Sequence, residues 1–112
     1  MSNERGTVNA EPRIPIDYEQ IKVFCAKWKI TEFSLFGSVL TDDFRPDSDV
    51  DVMVAFDDDI EWGLFDMVHM EDELKGIFGR KVDLLTRRSV ANSENYLMRR
   101  SILSGLRTFY AA

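Results

Sequence analysis

Apolar positions along the chain change period several times, and each change marks an element. Tyr18, Ile21, Phe24, Cys25 and Trp28 recur at three- and four-residue steps, the stripe of an amphipathic helix. That helix opens at Asp17, with Gln20 completing a capping-box pattern and Ile16 and Ile21 flanking it as a hydrophobic staple. Lys29 to Glu32 reads as a turn into a first strand, Phe33 to Phe36. Alternation then takes over: Val50, Val52 and Val54 fall on one face of a second strand, Asp49 and Asp51 on the other. The helical period returns from about Gly63 to Phe78, with Met67, Met70, Leu74 and Ile77 on one stripe and Gly79 as its stop. Val82 to Leu85 is a third strand, and a weaker periodicity predicts a last helix from about Ala91 to Leu103, ended by Gly105. Leu106 to Tyr110 completes the list as a short terminal strand. No repeat or linker divides the chain. The pattern predicts a loose polar tail over residues 1–13 and a single domain over 14–112. That domain is expected to be α/β (α+β), a small mixed sheet of three to four strands flanked by helices.

Composition narrows the class. A chain of 112 residues supports one domain with one modest core. Nothing approaches a membrane-spanning apolar run, and Met1 to Gly6 lacks the apolar stretch of a signal peptide. The single cysteine, Cys25, cannot form an internal disulfide, which agrees with a reducing cytoplasm. Its place on the apolar helix face makes it an inert buried thiol. The net charge of −6 argues against a nucleic-acid duplex or an anionic membrane as the main partner, because both need a basic track that is missing. A protein side chain or a small molecule is the expected acceptor of any chemistry.

That chemistry is carried by Leu35-Phe36-Gly37-Ser38 and, ten residues on, Asp49-Val50-Asp51. Asp49 and Asp51 share a strand face about 6.6 Å apart, two rises of the strand. Two acids so placed repel and resist burial unless a cation lies between them, and a hard divalent ion, Mg²⁺, answers that need. Glycine permits a tight turn and close approach to a ligand. The Ser38 hydroxyl and the free N–H groups of the helical turn after it suit phosphate oxygens. Asp83, the acid of the third strand, reads by itself as a strand-end aspartate bonded to a loop, and beside Asp49 and Asp51 as a third metal carboxylate.

Other conspicuous residues read more plainly. Asp57-Asp58-Asp59 is expected to be a solvated loop, His69 a surface residue with no partner at metal spacing, and Met67, Met70 and Met98 core filler. Arg87-Arg88 and Arg99-Arg100 fit phosphate or an acidic partner as well as they fit solvent. Trp62 and Phe65 fit nucleotide stacking or partner contact as well as they fit core.

The segments Phe36-Gly37-Ser38, Pro46-Asp47-Ser48-Asp49-Val50-Asp51 and Gly79-Arg80-Lys81-Val82-Asp83-Leu84-Leu85-Thr86 resemble the minimal nucleotidyltransferases (MNT), the smallest branch of the DNA polymerase β-like superfamily. The resemblance runs from about Tyr18 to Tyr110. It implies the polymerase β-like nucleotidyltransferase fold, and it puts the superfamily's third metal carboxylate on Asp83. It also implies Gly37 and Ser38 as the phosphate-binding residues, ATP as substrate, and two Mg²⁺ held by Asp49, Asp51 and Asp83, with Asp83 as a possible general base. Stand-alone members are often the antitoxin half of HEPN/MNT toxin–antitoxin pairs and transfer AMP to a tyrosine of a HEPN ribonuclease. The resemblance therefore implies a HEPN-domain toxin as partner. Two other readings stay open: an antitoxin that neutralises by binding alone, and a small-molecule nucleotidyltransferase. One departure stands out. Where the family carries Gly-Ser-x-x-[Arg/Lys]-Gly, this chain has Val39, Leu40, Thr41 and Asp42. Arg45, or Arg87 and Arg88, could supply the missing charge, and Asp42 and Asp43 are expected to stabilise the first turn of a connector helix.

Overall fold

A strand–helix–strand crossover forms the middle of the molecule. The computed structural model describes residues 11–112; the expected tail before Glu11 lies outside the described residues. Helix α1 (Tyr18–Lys27) leads into strand β1 (Ile30–Phe36), a 3₁₀ turn (Gly37–Leu40) and strand β2 (Val50–Phe56). Helix α2 (Leu64–Phe78) then carries the chain to β3 (Val82–Thr86), followed by α3 (Arg87–Ala91), α4 (Tyr96–Ser104) and β4 (Arg107–Ala111). The strands lie in the order β3-β2-β1-β4. Crossing over through α2 makes β3 parallel to β2, as a helical connection requires, whereas β1 is antiparallel to both its neighbours.

Alternation divides the sheet into two working faces. Phe33, Leu35, Val50, Val52, Val54, Val82 and Leu84 all turn to one side, where Ile21, Phe24 and Cys25 of α1 and Met70 and Leu74 of α2 cover them. On the other side a smaller cluster of Phe36, Met53 and Val90 is closed by Leu85, Ile102, Leu103 and Leu106 from around α3 and α4. That second cover protects only part of its face. Asp51 and Asp83, at the starts of β2 and β3, lie on the same side beyond it.

The helix ends follow their sequence signals. Asp17 Oδ1 accepts from Gln20 N at 3.1 Å, Asp66 Oδ2 accepts from Gly63 N at 2.9 Å, and Gly79 closes α2 with φ +72°. Among the described residues no helix is long and apolar enough to cross a membrane.

Several expectations need correction. The first strand starts at Ile30 rather than Phe33, because only Lys29, at φ 59°, actually turns. The second strand starts at Val50, so Asp49 precedes it. The last helix is two: Thr86 caps α3 by accepting from Ser89 N, Asn95 caps α4 by accepting from Met98 N, and residues 92–95 break between them. There is no connector helix. Thr41 is extended (φ −130°, ψ 170°), its hydroxyl takes the Asp43 N–H, and Asp42 pairs with Arg13. Tyr18, Phe65 and Met98 are exposed rather than core, whereas Trp62 packs against the main core.

Candidate active site

Strand register builds the site. Phe36 pairs with Asp51 and Asp51 pairs with Asp83, so the two aspartates stand side by side on adjacent strands, about 4.8 Å apart along the sheet. Asp49 enters from the residue before β2, and the bond from Val50 N to Lys81 O (3.0 Å) locks the starts of β2 and β3 together there. Asp49 is half-exposed and Asp83 exposed, while Asp51 is partly buried between them.

The electrostatics follow from that packing. Burial, then the charge of Asp83, then that of Asp49 push the Asp51 carboxyl up to about 6. Such a group gains from any cation placed among the three acids. Asp49 Oδ2 lies 4.0 Å from Lys81 Nζ, a loose and largely solvated pair that offsets part of the repulsion. Among the described residues no three acids, histidines or cysteines already converge as a ligand cluster. The donor set nevertheless suits a hard divalent ion: carboxylates at three neighbouring positions, one of them, Asp51, raised by burial and by the charges beside it.

The glycine-serine turn faces this group directly. Gly37 has φ +78°, and a Cβ there would meet Asp51 Oδ2 at 2.4 Å. The backbone of the turn therefore lies against the carboxylate with no room for a side chain. Thr41, in the place of the family's basic residue, closes the turn: its N–H and its hydroxyl both donate to Ser38 O, at 2.9 and 3.1 Å. Val39 is buried and anchors the turn from below, and Arg13 N donates to Val39 O at 2.8 Å.

Two basic residues in the Gly79–Thr86 segment have roles that sequence reasoning did not assign. Arg80 lies 4.6 Å over the Phe44 ring and donates to the carbonyls of Arg45, Pro46 and Ser48 at 3.2–3.3 Å, which holds the connector in place just before Asp49. Lys81 lies next to Asp49, as above. Both were visible in Gly79-Arg80-Lys81-Val82-Asp83, but their contacts are long-range. Arg45 is exposed beside a cavity of about 430 Å³ that it shares with Arg13, Thr41 and Arg80.

Other candidates fall elsewhere. Arg87 bonds Glu32 at 2.8 Å at the far end of the sheet, so with Arg88 it lies away from the carboxylates. Arg99 donates to Ser93 O, and His69 and Asp57 to Asp59 are exposed. Burial pushes the Cys25 thiol up to about 12, in keeping with an unreactive core position.

Comparison with known proteins gives the family and the fold. A nucleotidyltransferase domain model matches residues 18–106. A Methanocaldococcus jannaschii protein whose name proposes a protein adenylyltransferase is 34% identical over 71 residues, 63% of this chain and 71% of that one. A second, similarly named protein of the same organism is 30% identical over 71 residues, 63% and 70% of the two chains. Among solved structures, a toxin–antitoxin crystal structure with AMP-PNP superposes at TM-score 0.67 with 16% identity, covering 87% of this chain and 75% of that one. A tri-AMPylated Shewanella oneidensis HEPN toxin in complex with MNT antitoxin gives TM-score 0.59 at 16% identity over 85% and 70%. At those identities the likeness is one of fold. A structure whose name proposes a minimal nucleotidyltransferase gives TM-score 0.58 at 27% identity over 82% and 95%.

Fold and matches together define an enzyme of the nucleotidyltransferase class. More narrowly, the chain belongs to the nucleotidyltransferase domain family, with its likenesses among the minimal, MNT-like members.

Proposed function

We propose that this chain is a Mg²⁺-dependent protein adenylyltransferase that acts in the cytoplasm as an antitoxin, moving AMP from ATP to a tyrosine of a HEPN ribonuclease toxin. The observation that carries the reading is the contact of Gly37 with Asp51, which sets the backbone of the glycine-serine turn against a carboxylate that feels the charges of Asp83 and Asp49. Relatives whose names propose protein adenylyltransferases and neighbours that are toxin–antitoxin complexes support the choice of acceptor.

Asp49, Asp51 and Asp83 would hold the divalent metal. When bound it supplies positive charge that offsets the phosphates and lowers the pKa of the acceptor hydroxyl. Gly37 and Ser38 orient the β- and γ-phosphates through the backbone N–H groups of the 3₁₀ turn and the serine hydroxyl. Asp83, the most exposed strand acid, faces the acceptor and takes the hydroxyl proton. The tyrosine oxygen then bonds to the α-phosphorus as the bond to the bridging oxygen of the β-phosphate breaks, and pyrophosphate leaves.

Intact mass of the HEPN partner, incubated with this chain, ATP and Mg²⁺, tests the proposal. One or more added AMP units, absent with Asp49→Ala/Asp51→Ala, is the expected result. No mass change despite tight binding and lost toxicity would replace the enzyme reading with that of a binding antitoxin. Thr41 in place of a basic residue is the observation that favours this second reading.

A further inference from the structure

The start of α2 leaves large apolar side chains in water. Leu64 is 77% exposed, Phe65 82% and Val68 47%. Their three- and four-residue spacing sets them on one face of the helix, turned away from Met70 and Leu74, which are fully buried. Scattered exposed apolar residues are ordinary, but three on one helical turn form a patch, and patches of this kind mark contact surfaces.

The same helix start borders a concavity through Trp62 and Met67. A cavity of about 460 Å³ opens between the end of β2, the start of α2 and α3, with Phe56, Trp62 and Met67 among its walls. Trp62 is held firmly there: its Nε1 donates to Trp28 O at 2.9 Å and its ring meets the Trp28 ring edge-on at 5.1 Å. That wall of the cavity is thus fixed before any partner arrives, which lowers the entropic cost of docking against it.

Charge says what would cover it. Asp57, Asp58 and Glu61 line the same cavity, and Asp59 is exposed beside them. Of the cations facing it, Arg87 is paired with Glu32 at 2.8 Å, leaving Arg88. A second copy of this chain would bring acid against acid under a net charge of −6 on each molecule, and an anionic membrane would be repelled in the same way. A segment with bulky apolar residues on one side and lysine or arginine on the other complements both the patch and its rim.

The surface also leaves the site free. Val54 to Phe56 and Thr86 are the ends of β2 and β3, whereas Asp51 and Asp83 are at their starts. Five residues of strand separate Asp51 from Phe56, about 17 Å.

We propose that the α2 start, with the acidic cavity beside it, is a docking surface for a basic amphipathic helix of a partner protein, separate from the carboxylate site. Under the reading given above, that partner is the acceptor of AMP. Helix-in-groove recognition of this kind takes its affinity from apolar anchors and its choice of partner from rim charge.

Fluorescence anisotropy of two labelled synthetic helices tests it, one with leucine on one face and lysine on the other, the second with glutamate replacing lysine. The wild-type chain should bind the lysine helix, more weakly as salt rises, and ignore the glutamate helix. Leu64→Ser/Phe65→Ser should weaken binding about ten-fold with an unchanged melting temperature, because both side chains are already in water. Asp57→Lys/Asp58→Lys should weaken it similarly without touching the apolar face. Equal affinity in wild type and both variants would overturn the proposal. So would self-association of the wild type that Leu64→Ser/Phe65→Ser abolishes, since the surface would then belong to a second copy. Binding is read without AMP transfer, so a chain that binds the helix as described yet modifies no protein would overturn the transfer reading alone.

Discussion

The space that a side chain at Gly37 would need is taken by Asp51: a Cβ on the glycine would come within 2.4 Å of the carboxylate oxygen and 3.3 Å of its carbon. The backbone there also has φ +78°, where an L side chain is strained by about 1–2 kcal/mol. Gly37→Ala should therefore lower stability by about 1–3 kcal/mol, measured by urea denaturation. It should also displace Asp51 and reduce nucleotidyl transfer by at least about ten-fold, one factor of ten per 1.4 kcal/mol of lost transition-state stabilisation. A variant that loses stability but keeps full activity would show that the contact organises the fold and not the chemistry.

Asp51 makes stability depend on pH in an unusual direction. Burial and the charges of Asp83 and Asp49 raise its pKa from 3.8 to about 6, so between those values the folded chain binds more protons than the unfolded one. Stability from this group is highest below pH 3.8, falls as pH rises through the interval, and stays reduced above pH 6. For a partly exposed group the loss is about 1–2 kcal/mol after solvent screening. Asp51→Asn should thus melt higher than wild type at pH 7 without metal, while being inactive. Added Mg²⁺ should raise the wild-type melting temperature and leave that of Asp51→Asn nearly unchanged. Identical metal-free melting curves at pH 7 would refute the account of a carboxylate disfavoured by burial and by its two acidic neighbours.

Under the proposed reading, Arg45 would take the place of the basic residue that the family carries where this chain has Thr41. It is exposed on the connector between the Gly-Ser turn and Asp49, and its guanidinium has no side-chain partner among the described residues. A charge-assisted contact to phosphate contributes about 1.5–3 kcal/mol, so Arg45→Ala should raise the KM for ATP about ten-fold or more with little change in kcat. Arg80→Ala should act differently. It removes three carbonyl contacts and the packing on Phe44, so it should lower the melting temperature and kcat together. An unchanged KM in Arg45→Ala would leave the phosphates to Gly37 and Ser38 alone.

Much of this arrangement was legible because the signals are local. Asp49 and Asp51 alternate with valines, Gly79 stops α2, and the crossover through α2 dictates that β3 lies parallel to β2, bringing Asp83 beside Asp51. The departures come from contacts that no local pattern encodes. Strand β1 extends back to Ile30 because Thr31 O accepts from Ala112 N and Glu32 finds Arg87, partners 81 and 55 residues away. The last helix breaks at residues 92–95, a wholly polar stretch, because Asn95 starts a new cap. Phe65 and Trp62 are near neighbours with similar propensities, yet one is in water and the other packs against the core. Only the position of α2 on the sheet separates them. Arg80 reads as an ordinary turn cation until the connector folds over it.

The junction of α1 and α2 gives a test independent of the chemistry. Glu73 accepts from Trp28 Nε1 at 3.1 Å and from Lys27 Nζ, which ties the two helices together over the core face. Burial alone would raise its pKa, but the hydrogen bonds from Lys27 and Trp28, with the charges of Lys27 and His69, outweigh it and hold the group below 4.5. The stabilisation is therefore present above pH 4.5 and is lost as pH falls below it. Because Lys27 is more than half exposed, the ion pair itself contributes only about 0.5 kcal/mol. The indole bond matters more, since Trp28 is 8% exposed and its N–H would otherwise face the helix junction unpaired. Glu73→Gln, which keeps an acceptor for Trp28, should cost about 0.5 kcal/mol at pH 7, and the cost should shrink as pH falls below 4.5. Glu73→Ala, which removes it, should cost about 1–2 kcal/mol at pH 7. Denaturation followed by tryptophan fluorescence at both pH values separates the two contributions, and equal losses in the two variants would assign the whole effect to the charge.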